Sequence, residues 1–270
     1  MTFREAVRLL KEAGVTDAEY SAEQIFSDIC GFSKIDISLG RAESDSPALI
    51  EAIKRRSERE PLQYILGYTY FYRERYAVNE SCLIPRSDTE LLVDTAVKLL
   101  PQSENLLDLC TGSGCVAIST LKNTRNTTAV MLDISEAALK LASENAKQNG
   151  VSDRVRLVQM NVLEKLPEEK YFAILSNPPY VSELAYQQLP PELYKEPEIA
   201  FLGGADGADF YRNLTPRLLK LLKDDGFIAY EIGYDQAGIL LEIAKENLLD
   251  CKILKDLSGN DRVVVLTKSK

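Results

Sequence analysis

The sequence predicts an α/β protein with a mostly parallel sheet, an antiparallel hairpin at one edge of that sheet, and a small helical bundle in front. Three observations predict this fold. Between residues 106 and 268, short apolar runs alternate with helical patterns, which is typical of right-handed βαβ units. The last two apolar runs are separated only by Ser-Gly-Asn-Asp at 258–261, which is too short for a crossover helix. Residues 3–59 show helical spacing instead.

The first 60 residues are predicted to form a bundle of three helices. Apolar residues recur there at helical spacing, and glycines or a preceding serine mark the helix ends. The expected helices cover residues 3–13, 18–29 and 47–59. The third carries a basic cluster, for which we expect a solvated helix face; its members are Lys54, Arg55, Arg56 and Arg59. Because no catalytic motif lies in residues 1–60, we predict that this domain recognises the substrate.

Residues 61–82 are predicted to form a β-hairpin that links two domains. This segment is rich in aromatic residues around Gly67, a composition that is typical of strands flanking a turn. The loop Leu-Ile-Pro-Arg-Ser-Asp-Thr-Glu follows. We expect it to lead into a helix that is capped by Ser87 or Asp88 and ends near residue 100.

The remainder of the chain, residues 83–270, is predicted to be one α/β domain. Its strands are expected at residues 106–110, 129–134, 154–160, 172–176, 227–232, 251–257 and 262–268. Helices are expected between most of them, the first ending near residue 122 and the others covering residues 136–149, 209–223 and 236–247. Parallel strands place their carboxyl ends at one edge of the sheet, where ligands of open α/β sheets bind. We therefore expect the functional residues directly after the strands.

The composition excludes several classes of chemistry. The 270 residues include 41 acidic and 32 basic side chains, giving a net charge of −9. Such a chain lacks the basic character of proteins that hold nucleic acid through its phosphates. The chain also contains no histidine. Ser-His-Asp and Cys-His catalysis, histidine-ligated metals and imidazole general bases are therefore excluded.

Cysteine usage and hydropathy predict a soluble, cytoplasmic protein. The five cysteines include no Cys-x-x-Cys pair, so we expect reduced, mostly buried thiols rather than disulfides or a four-cysteine metal site. The N-terminus mixes acidic and basic residues and lacks the apolar core of a secretory signal. No apolar stretch reaches the roughly 18–20 residues of a membrane span. We expect no metal, no membrane association and a monomer.

The first motif with chemical meaning runs from Asp108 to Ala117 and joins a strand to a helix. Gly112 and Gly114 let a ligand approach the main chain closely, and the start of the helix presents free N–H groups. Asp133 ends the next strand, where a carboxylate can bind both hydroxyls of a ribose. These residues predict an adenosine-type ligand, which can be a dinucleotide or S-adenosylmethionine (SAM).

The second motif, Asn177-Pro178-Pro179-Tyr180, directly follows the fourth predicted strand of the domain. The two prolines fix the backbone and contribute no N–H, so carbonyl oxygens such as that of Pro178 are left to accept hydrogen bonds. The Asn177 side-chain oxygen is another acceptor, and Tyr180 offers an aromatic face. We therefore predict a receptor for a planar –NH2 group, and this favours SAM over a nicotinamide dinucleotide as the ligand.

Both motifs resemble those of SAM-dependent methyltransferases that modify planar amino groups. Asn-Pro-Pro-Tyr alone is shared with adenine-N6 methyltransferases. The longer pattern resembles the HemK/PrmC family of protein-glutamine N5-methyltransferases, which act on peptide chain release factors. The segments that carry this resemblance are LIPRSDTE (83–90), DLCTGSGCVAIS (108–119), SNPPYV (176–181), PPELYKEPEIAFLGGADGADFYRNL (190–214), EIGYDQ (231–236) and DLSGNDRVV (256–264).

The resemblance implies a class I, Rossmann-like SAM-dependent methyltransferase fold and SAM as the cofactor. The implied cofactor-binding residues are Asp108, Cys110, Thr111, Gly112, Ser113 and Gly114 around the methionine moiety, Asp133 at the ribose, Asn161 and Val162 at the adenine, and Asn177. The implied substrate-binding residues are Asn177, Pro178, Pro179 and Tyr180, of which Asn177, Pro178 and Tyr180 are expected to act in catalysis. The implied substrate is the glutamine of the Gly-Gly-Gln motif in release factors, and its N5 atom receives the methyl group.

Two positions depart from the family pattern. The family commonly has glycine at the position of Cys110 and aspartate at the position of Asn161. A cysteine at the end of a strand is small enough to be accepted there. Asn161 keeps a carbonyl acceptor for the adenine amino group but lacks the charge. These departures bear on the affinity for SAM rather than on the choice of SAM as the cofactor.

Other interpretations stay open at this point. An adenine-N6 methyltransferase on DNA or RNA would share Asn-Pro-Pro-Tyr, but the acidic composition and the lack of an inserted target-recognition segment argue against it. A ribosomal-protein glutamine methyltransferase would look almost identical. A catalytically idle SAM-binding adaptor is disfavoured by the intact Asn177 and Asp133, and an NAD dehydrogenase leaves Asn-Pro-Pro-Tyr without a role. The favoured prediction is a glutamine methyltransferase with release factors as protein partners.

Overall fold

The computed structural model describes residues 1–269 and divides the chain into two compact units. The smaller unit contains Met1–Tyr68 and Pro190–Lys195, and the larger contains Thr69–Leu189 and the residues from Glu196 onward. Lys270, the last residue of the predicted domain 83–270, lies outside the described residues. The N-terminal helical region and the α/β region are therefore separate units, and the smaller one includes a short segment from much later in the chain.

The smaller unit is built from helices. They are α1 (Phe3–Glu12), α2 (Ala18–Cys30), α3 (Lys34–Ser38), α4 (Pro47–Ser57) and α5 (Leu62–Leu66). Three of them correspond to the predicted bundle helices, whereas α3 and α5 are additional. Helix α3 is short and begins with a reciprocal cap, in which Ser33 and Asp36 each accept a hydrogen bond from the other's backbone N–H.

Helix α5 differs from the β-hairpin predicted to begin at residue 61. Leu62 and Tyr64 are buried in α5, and Gly67 ends it in a left-handed conformation. The aromatic composition of this segment is compatible with either a helix or a strand, because short apolar runs do not distinguish the two. The hairpin itself is confined to the residues after Gly67.

The basic cluster of α4 is not the solvated face predicted for it. Arg56 is only 4% exposed; its guanidinium donates to Ser21 Oγ at 3.0 Å and to Asp17 Oδ1 at 2.7 Å. Arg59 forms a bidentate pair with Glu192, at 2.7 Å for both contacts. This ion-pair network ties the 190–195 segment into the helical unit, so the prediction of a solvated face is wrong for Arg56 and Arg59, whereas Lys54 is exposed.

The larger unit contains the remaining regular elements. Its strands are β1 (Tyr68–Phe71), β2 (Glu74–Ala77), β3 (Asn105–Leu109), β4 (Thr128–Asp133), β5 (Val155–Gln159), β6 (Tyr171–Ser176), β7 (Leu222–Glu231), β8 (Leu249–Lys255) and β9 (Asp261–Lys268). Its helices are α6 (Glu90–Leu99), α7 (Cys115–Lys122), α8 (Glu136–Gln148), α9 (Glu183–Tyr186), α10 (Asp209–Leu218) and α11 (Ala237–Glu246). Helix α10 is shorter than predicted because the chain enters β7 already at Leu222.

Strands β3 to β9 form one sheet with the order β5-β4-β3-β6-β7-β9-β8, while β1 and β2 pair separately. All neighbours from β5 to β7 are parallel, and β9 runs antiparallel to both β7 and β8. The predicted α/β fold class, with a mostly parallel sheet and a hairpin at its edge, is therefore confirmed. The antiparallel strand is not the edge strand itself, however. The crossover through α11 leads from β7 to β8 at the edge of the sheet and leaves one strand position open between them. Strand β9 then occupies that position.

Helices cover both faces of this sheet and fix its strands in place. Helices α6, α7 and α8 contribute to one apolar cluster, with members such as Leu92, Ile118 and Ala142 fully buried. Helices α10 and α11 contribute to the other, which includes Leu214 and Leu240. Burying a large apolar side chain stabilises the fold by about 1.5–3 kcal/mol. The carboxyl ends of the parallel strands are thereby held as a rigid edge. Within residues 1–269, no helix is long and apolar enough to cross a membrane.

Candidate active site

A cleft of about 310 Å³ lies in the larger unit, where the chain leaves β3, β4, β5 and β6. Among residues 1–269, its lining includes every predicted cofactor-binding residue except Gly114. Of the four predicted substrate-binding residues, it includes Asn177 and Pro179 but not Pro178 or Tyr180. The cleft therefore brings together residues from both sequence motifs. It lies at the edge where ligands of open α/β sheets bind.

The turn after β3 is built from three residues with left-handed backbone conformation. Cys110, Gly112 and Gly114 have φ values of +57°, +54° and +83°. At Gly114, a Cβ atom would lie 2.7 Å from Met131 Cε and 2.8 Å from Ile118 Cδ1. Gly114 is thus required for close packing under the turn as well as for its conformation, although it does not face the cleft.

Cys110 is the one residue of these three that is not glycine. A side chain in the left-handed region costs about 1–2 kcal/mol, which explains why glycine suits this position. The thiol is held in apolar surroundings against the core beneath the sheet, and burial raises its pKa well above the usual range. Cys110 therefore stays a neutral thiol at the wall of the cleft.

Asp108 supports the turn from below. It is 1% exposed, and its Oδ2 accepts a hydrogen bond of 2.5 Å from the Thr111 hydroxyl. Burial raises the pKa of Asp108 to about 7, against the opposing effects of Thr111 and the Ala117 N–H. The Thr111 N–H in turn donates to Leu132 O at 3.0 Å. The turn is therefore fastened to both β3 and β4.

Asp133, at the end of β4, has one backbone donor on each carboxylate oxygen. Oδ2 accepts from the Gly112 N–H and Oδ1 from the Ser135 N–H, both at 2.9 Å. Burial raises its pKa, and these N–H groups oppose that shift. Each oxygen of a carboxylate has a second lone pair. The Ile134 N–H also acts on this carboxylate, and Asp133 keeps lone pairs that can accept hydrogen bonds from a ligand without losing its own support.

Asn161 and Val162 lie in the turn that follows β5. The Asn161 carboxamide is engaged locally: Oδ1 accepts from the Leu163 N–H at 3.1 Å, and Nδ2 donates to Glu164 Oε1 at 2.8 Å. Oδ1 is the acceptor that the sequence suggested for an adenine amino group, and it retains a second lone pair. Val162 is 6% exposed and forms part of the apolar floor.

The segment Asn177–Tyr180 follows β6, next to the turn after β3. Asn177 Nδ2 donates to Thr89 Oγ1 at 3.1 Å, and the Tyr180 hydroxyl donates to Glu231 Oε1 at 3.0 Å. The bond to Thr89 occupies the amino end of the Asn177 carboxamide. Its Oδ1 is then the end that can accept a hydrogen bond from a ligand in the cleft.

Family models match both units of the chain. The model described as "PrmC N-terminal domain" matches residues 2–67, and "Methyltransferase small domain" matches residues 87–194. A release factor glutamine methyltransferase of Fusobacterium nucleatum is 37% identical to this chain, over 99% of the chain and 78% of that protein. One of Thermodesulfovibrio yellowstonii is also 37% identical, over 92% of both proteins. This chain belongs to the release factor glutamine methyltransferase family. The resemblance that the sequence motifs indicated is confirmed.

Solved structures outside the family share its fold at low identity. The catalytic domain of hMettl16 in complex with an RNA hairpin superimposes with a TM-score of 0.57 at 13% identity, covering 83% of this chain and 80% of that one. The ribosomal protein L11 methylase of Lactobacillus delbrueckii gives a TM-score of 0.52 at 21% identity, covering 68% and 81%. These similarities show a methyltransferase fold.

The Gly-Gly-Ala-Asp-Gly loop of the family packs directly on the Asn177–Tyr180 segment. A Cβ atom on Gly203 would lie 2.7 Å from Pro179 O, and one on Gly207 would overlap Tyr180 O. The Gly203 N–H donates to Val181 O at 2.9 Å. These glycines are therefore required because two stretches of backbone lie against each other. This gives a physical reason for a motif that the sequence indicated only through family resemblance.

Several residues that hold the site were not identified from the sequence. Gln236 is 4% exposed, and its Nε2 donates to Tyr180 O at 3.0 Å and to Gly207 O at 3.1 Å. Asn145 on α8 is fully buried and donates to the Ser113 carbonyl at 2.9 Å. Thr89 is the partner of Asn177. A buried polar residue at the core-facing side of a helix is the one signal in the sequence that could have identified Asn145.

Proposed function

We propose that this chain transfers a methyl group from SAM to the side-chain amide nitrogen of a glutamine in peptide chain release factors, at the Gly-Gly-Gln motif. The observation that carries this proposal is the position of Asn177. It lies after β6 in the same cleft as the glycine-rich turn and Asp133, with its Oδ1 available to a ligand. The names of the relatives support release factors as the substrate.

The residues of the cleft fit SAM. Asp133 retains acceptor capacity for the two hydroxyls of a ribose, and the left-handed turn from Cys110 to Gly114 keeps side chains away from a ligand. Val162 and Met160 offer apolar surface of the kind an adenine ring requires. When bound, SAM would supply an electrophilic sulfonium methyl group. The chain's own residues are left to place and polarise the acceptor.

The acceptor amide is a weak nucleophile, because its lone pair is delocalised into the carbonyl. Asn177 Oδ1 can accept a hydrogen bond from the substrate –NH2 group and so fix the direction of the nitrogen lone pair. Such placement lowers the activation barrier, because the entropy cost of orienting the two reactants is met when the substrate binds. The same hydrogen bond strengthens as positive charge develops on the nitrogen. No imidazole is needed for this role, and the chain has no histidine.

The helical unit, residues 1–60 of the sequence prediction, is proposed to recognise the release factor. It presents large apolar side chains to solvent on α2 and α3, including Tyr20 at 58% exposure and Ile35 at 70%. Exposed apolar side chains of this kind favour contact with another protein. We expect Tyr20→Ser and Ile35→Ser to raise the KM for the intact release factor. The KM for a short glutamine peptide should stay unchanged.

The proposed function is tested by identifying the substrate that takes the methyl group. Purified protein is incubated with labelled SAM and, separately, with a release factor, a ribosomal protein and nucleic acid. We expect one methyl group on the Gly-Gly-Gln glutamine of the release factor, located by mass spectrometry. A matched release factor with Gly-Gly-Asn is the control and should stay unlabelled. Label on an adenine or on ribosomal protein alone would replace this proposal with one of the other methyltransferase interpretations.

A further inference from the structure

Glu231, at the end of β7, is a buried carboxylate beside the proposed substrate site. It is 1% exposed, and among residues 1–269 its Oε2 atom has no hydrogen-bond partner of ordinary geometry. Withdrawing a carboxylate from water is unfavourable unless it is paired or hydrogen-bonded. A buried carboxylate with one incompletely used oxygen therefore calls for an explanation in this part of the molecule.

The groups around Glu231 connect it to Asn177. The Tyr180 hydroxyl donates to Oε1 at 3.0 Å. Burial raises the pKa of Glu231, and the hydroxyls of Thr89 and Tyr180 and the charge of Arg262 oppose that shift. Because Tyr180 binds Oε1, the unpartnered Oε2 is the oxygen that a Thr89 hydroxyl would bind. Thr89 also receives the 3.1 Å hydrogen bond from Asn177 Nδ2.

Arg262 supports this arrangement from β9. Its guanidinium lies 3.3 Å from Asp88, the neighbour of Thr89, and 3.3 Å from Asp256. It also donates to Ile232 O at 3.3 Å, directly after Glu231. Arg262 thus holds the Thr89 turn and the end of β7 together. Its positive charge favours the ionised form of the Glu231 carboxylate.

The hydroxyl of Thr89 has one proton, and this proton decides which end of Asn177 it can bind. A carboxylate only accepts hydrogen bonds, so a hydrogen bond between Thr89 and the ionised Glu231 would use the Thr89 proton. The Thr89 oxygen then presents lone pairs to Asn177, and only the –NH2 end of the carboxamide can bind there. The opposite orientation would turn an –NH2 group towards a substrate –NH2 group, and neither can accept.

We propose that Glu231 is a positioning residue that acts through Thr89 to fix the orientation of the Asn177 carboxamide, so that Oδ1 faces the acceptor amide. The inference rests on the proposed function for the identity of that amide. The relay from Glu231 through Thr89 to Asn177 does not depend on which molecule supplies the acceptor amide. It also gives a role to the threonine of the LIPRSDTE motif and to the first residue of EIGYDQ.

Two nearly isosteric substitutions test the relay. Glu231→Gln keeps an acceptor for Tyr180 but offers Thr89 a donor, so the Thr89 proton is released towards Asn177 Oδ1 and the carboxamide turns over. Thr89→Val removes the hydroxyl altogether. We expect each to lower kcat by roughly 10–100-fold, up to the cost of losing one preorganised contact, with the affinity for SAM unchanged. The double variant should be no slower than Thr89→Val, because both act on one group.

A second readout needs no substrate. In 15N-labelled protein, the side-chain amide signals of Asn177, assigned by their absence in Asn177→Asp, report the hydrogen bond to Thr89. Glu231→Gln and Thr89→Val should both shift these signals. Thr89→Ser should restore them together with turnover. Thr95→Val is the matched control, since Thr95 is also buried but donates to Leu91 O, at 2.7 Å within α6; it should change neither readout.

The outcomes separate the relay from the proposed function. If the native protein labels no release factor, the proposed function fails, but the Asn177 signals still decide about Glu231. If Glu231→Gln leaves the signals and kcat as they are in Thr95→Val, the relay is overturned. If Glu231→Gln does not fold, the comparison of Thr89→Val with Thr89→Ser decides, and equal behaviour of those two overturns the proposal.

Discussion

The two halves of the cleft are held in place by different means. The turn from Cys110 to Gly114 joins β3 to α7, and it is fastened by Asp108 on β3 and by Asp133 on the adjacent strand β4. The segment Asn177–Tyr180 is held by residues from several distant parts of the chain. These residues are Thr89, Gly203, Gly207, Glu231 and Gln236. The turn is therefore largely a product of local sequence, whereas the substrate segment is a product of tertiary structure.

The first prediction concerns the substrate segment, in which we expect turnover to depend on one contact, the hydrogen bond that Asn177 accepts from the substrate. We expect Asn177→Ala to lower turnover by roughly 10²–10³, the usual cost of removing one preorganised electrostatic contact. Turnover is measured with the release factor that the labelling experiment identifies. Asn213→Ala is the matched control, because Asn213 is exposed and its Nδ2 donates to Asp209 O within α10. Equal turnover of both variants would show that Asn-Pro-Pro-Tyr is only a rigid turn.

The packing of the glycine loop on the substrate segment predicts the next largest effect. In Gly207→Ala, the new methyl group would overlap Tyr180 O at a residue whose φ is +78°. Overpacking and left-handed strain together should lower the free energy of unfolding by about 2–4 kcal/mol. The matched control is Gly238→Ala in α11, where a Cβ meets nothing within 4 Å. That variant should gain up to about 1 kcal/mol. Thermal unfolding of both proteins measures the difference.

The cofactor half of the cleft predicts an effect on binding rather than on turnover at saturation. Asp133→Ala removes the charged acceptor for a ribose, a loss that we expect to cost about 1.5–3 kcal/mol in total. We expect SAM to bind roughly 10–100-fold more weakly, measured by calorimetry. Asp133 also supports the Gly112 and Ser135 N–H groups, so circular dichroism should accompany the titration. Unchanged affinity in a folded variant would exclude Asp133 as the ribose ligand.

The smallest predicted effect distinguishes two glycines of the same turn. Gly112→Ala meets no atom closer than Cys82 Cβ at 3.7 Å, so the cost is confined to its φ of +54°, about 1–2 kcal/mol. Gly114→Ala adds a clash with Met131 and Ile118 and should cost more. Urea denaturation of both variants measures the difference. A larger loss for Gly112→Ala would mean that the turn is less open than its geometry indicates.

Much of the fold is predictable because its signals are local. Alternating apolar runs, Ser135 as a cap and the short link at 258–261 indicate the strands, helices and hairpin that the structure contains. The insertion of β9 between β7 and β8 is not predictable in this way, because it depends on where the crossover through α11 ends. Helix α5 was missed because its aromatic residues suit a strand equally well.

The candidate site follows the same rule. The turn residues and Asp133 are marked in the sequence by glycine spacing and by their positions at strand ends. Thr89 and Gln236 have no such mark, because their role exists only once distant strands have paired. Arg56 shows the converse: a basic cluster that resembles a solvated face becomes buried when Glu192 arrives from elsewhere in the chain. Sequence patterns identify residues that contact a ligand more readily than residues that hold those ligand-contacting residues in position.

The division of the cleft into a cofactor half and a substrate half is tested most directly by titrating SAM into Asn177→Ala, with the native protein and Asp133→Ala in parallel. The account predicts that Asn177→Ala keeps much of the native affinity, while Asp133→Ala loses roughly 10–100-fold. An Asn177→Ala protein that folds but loses as much affinity as Asp133→Ala would contradict the account. Asn177 would then be chiefly a cofactor ligand, and its assignment as the acceptor for the substrate amide would fail.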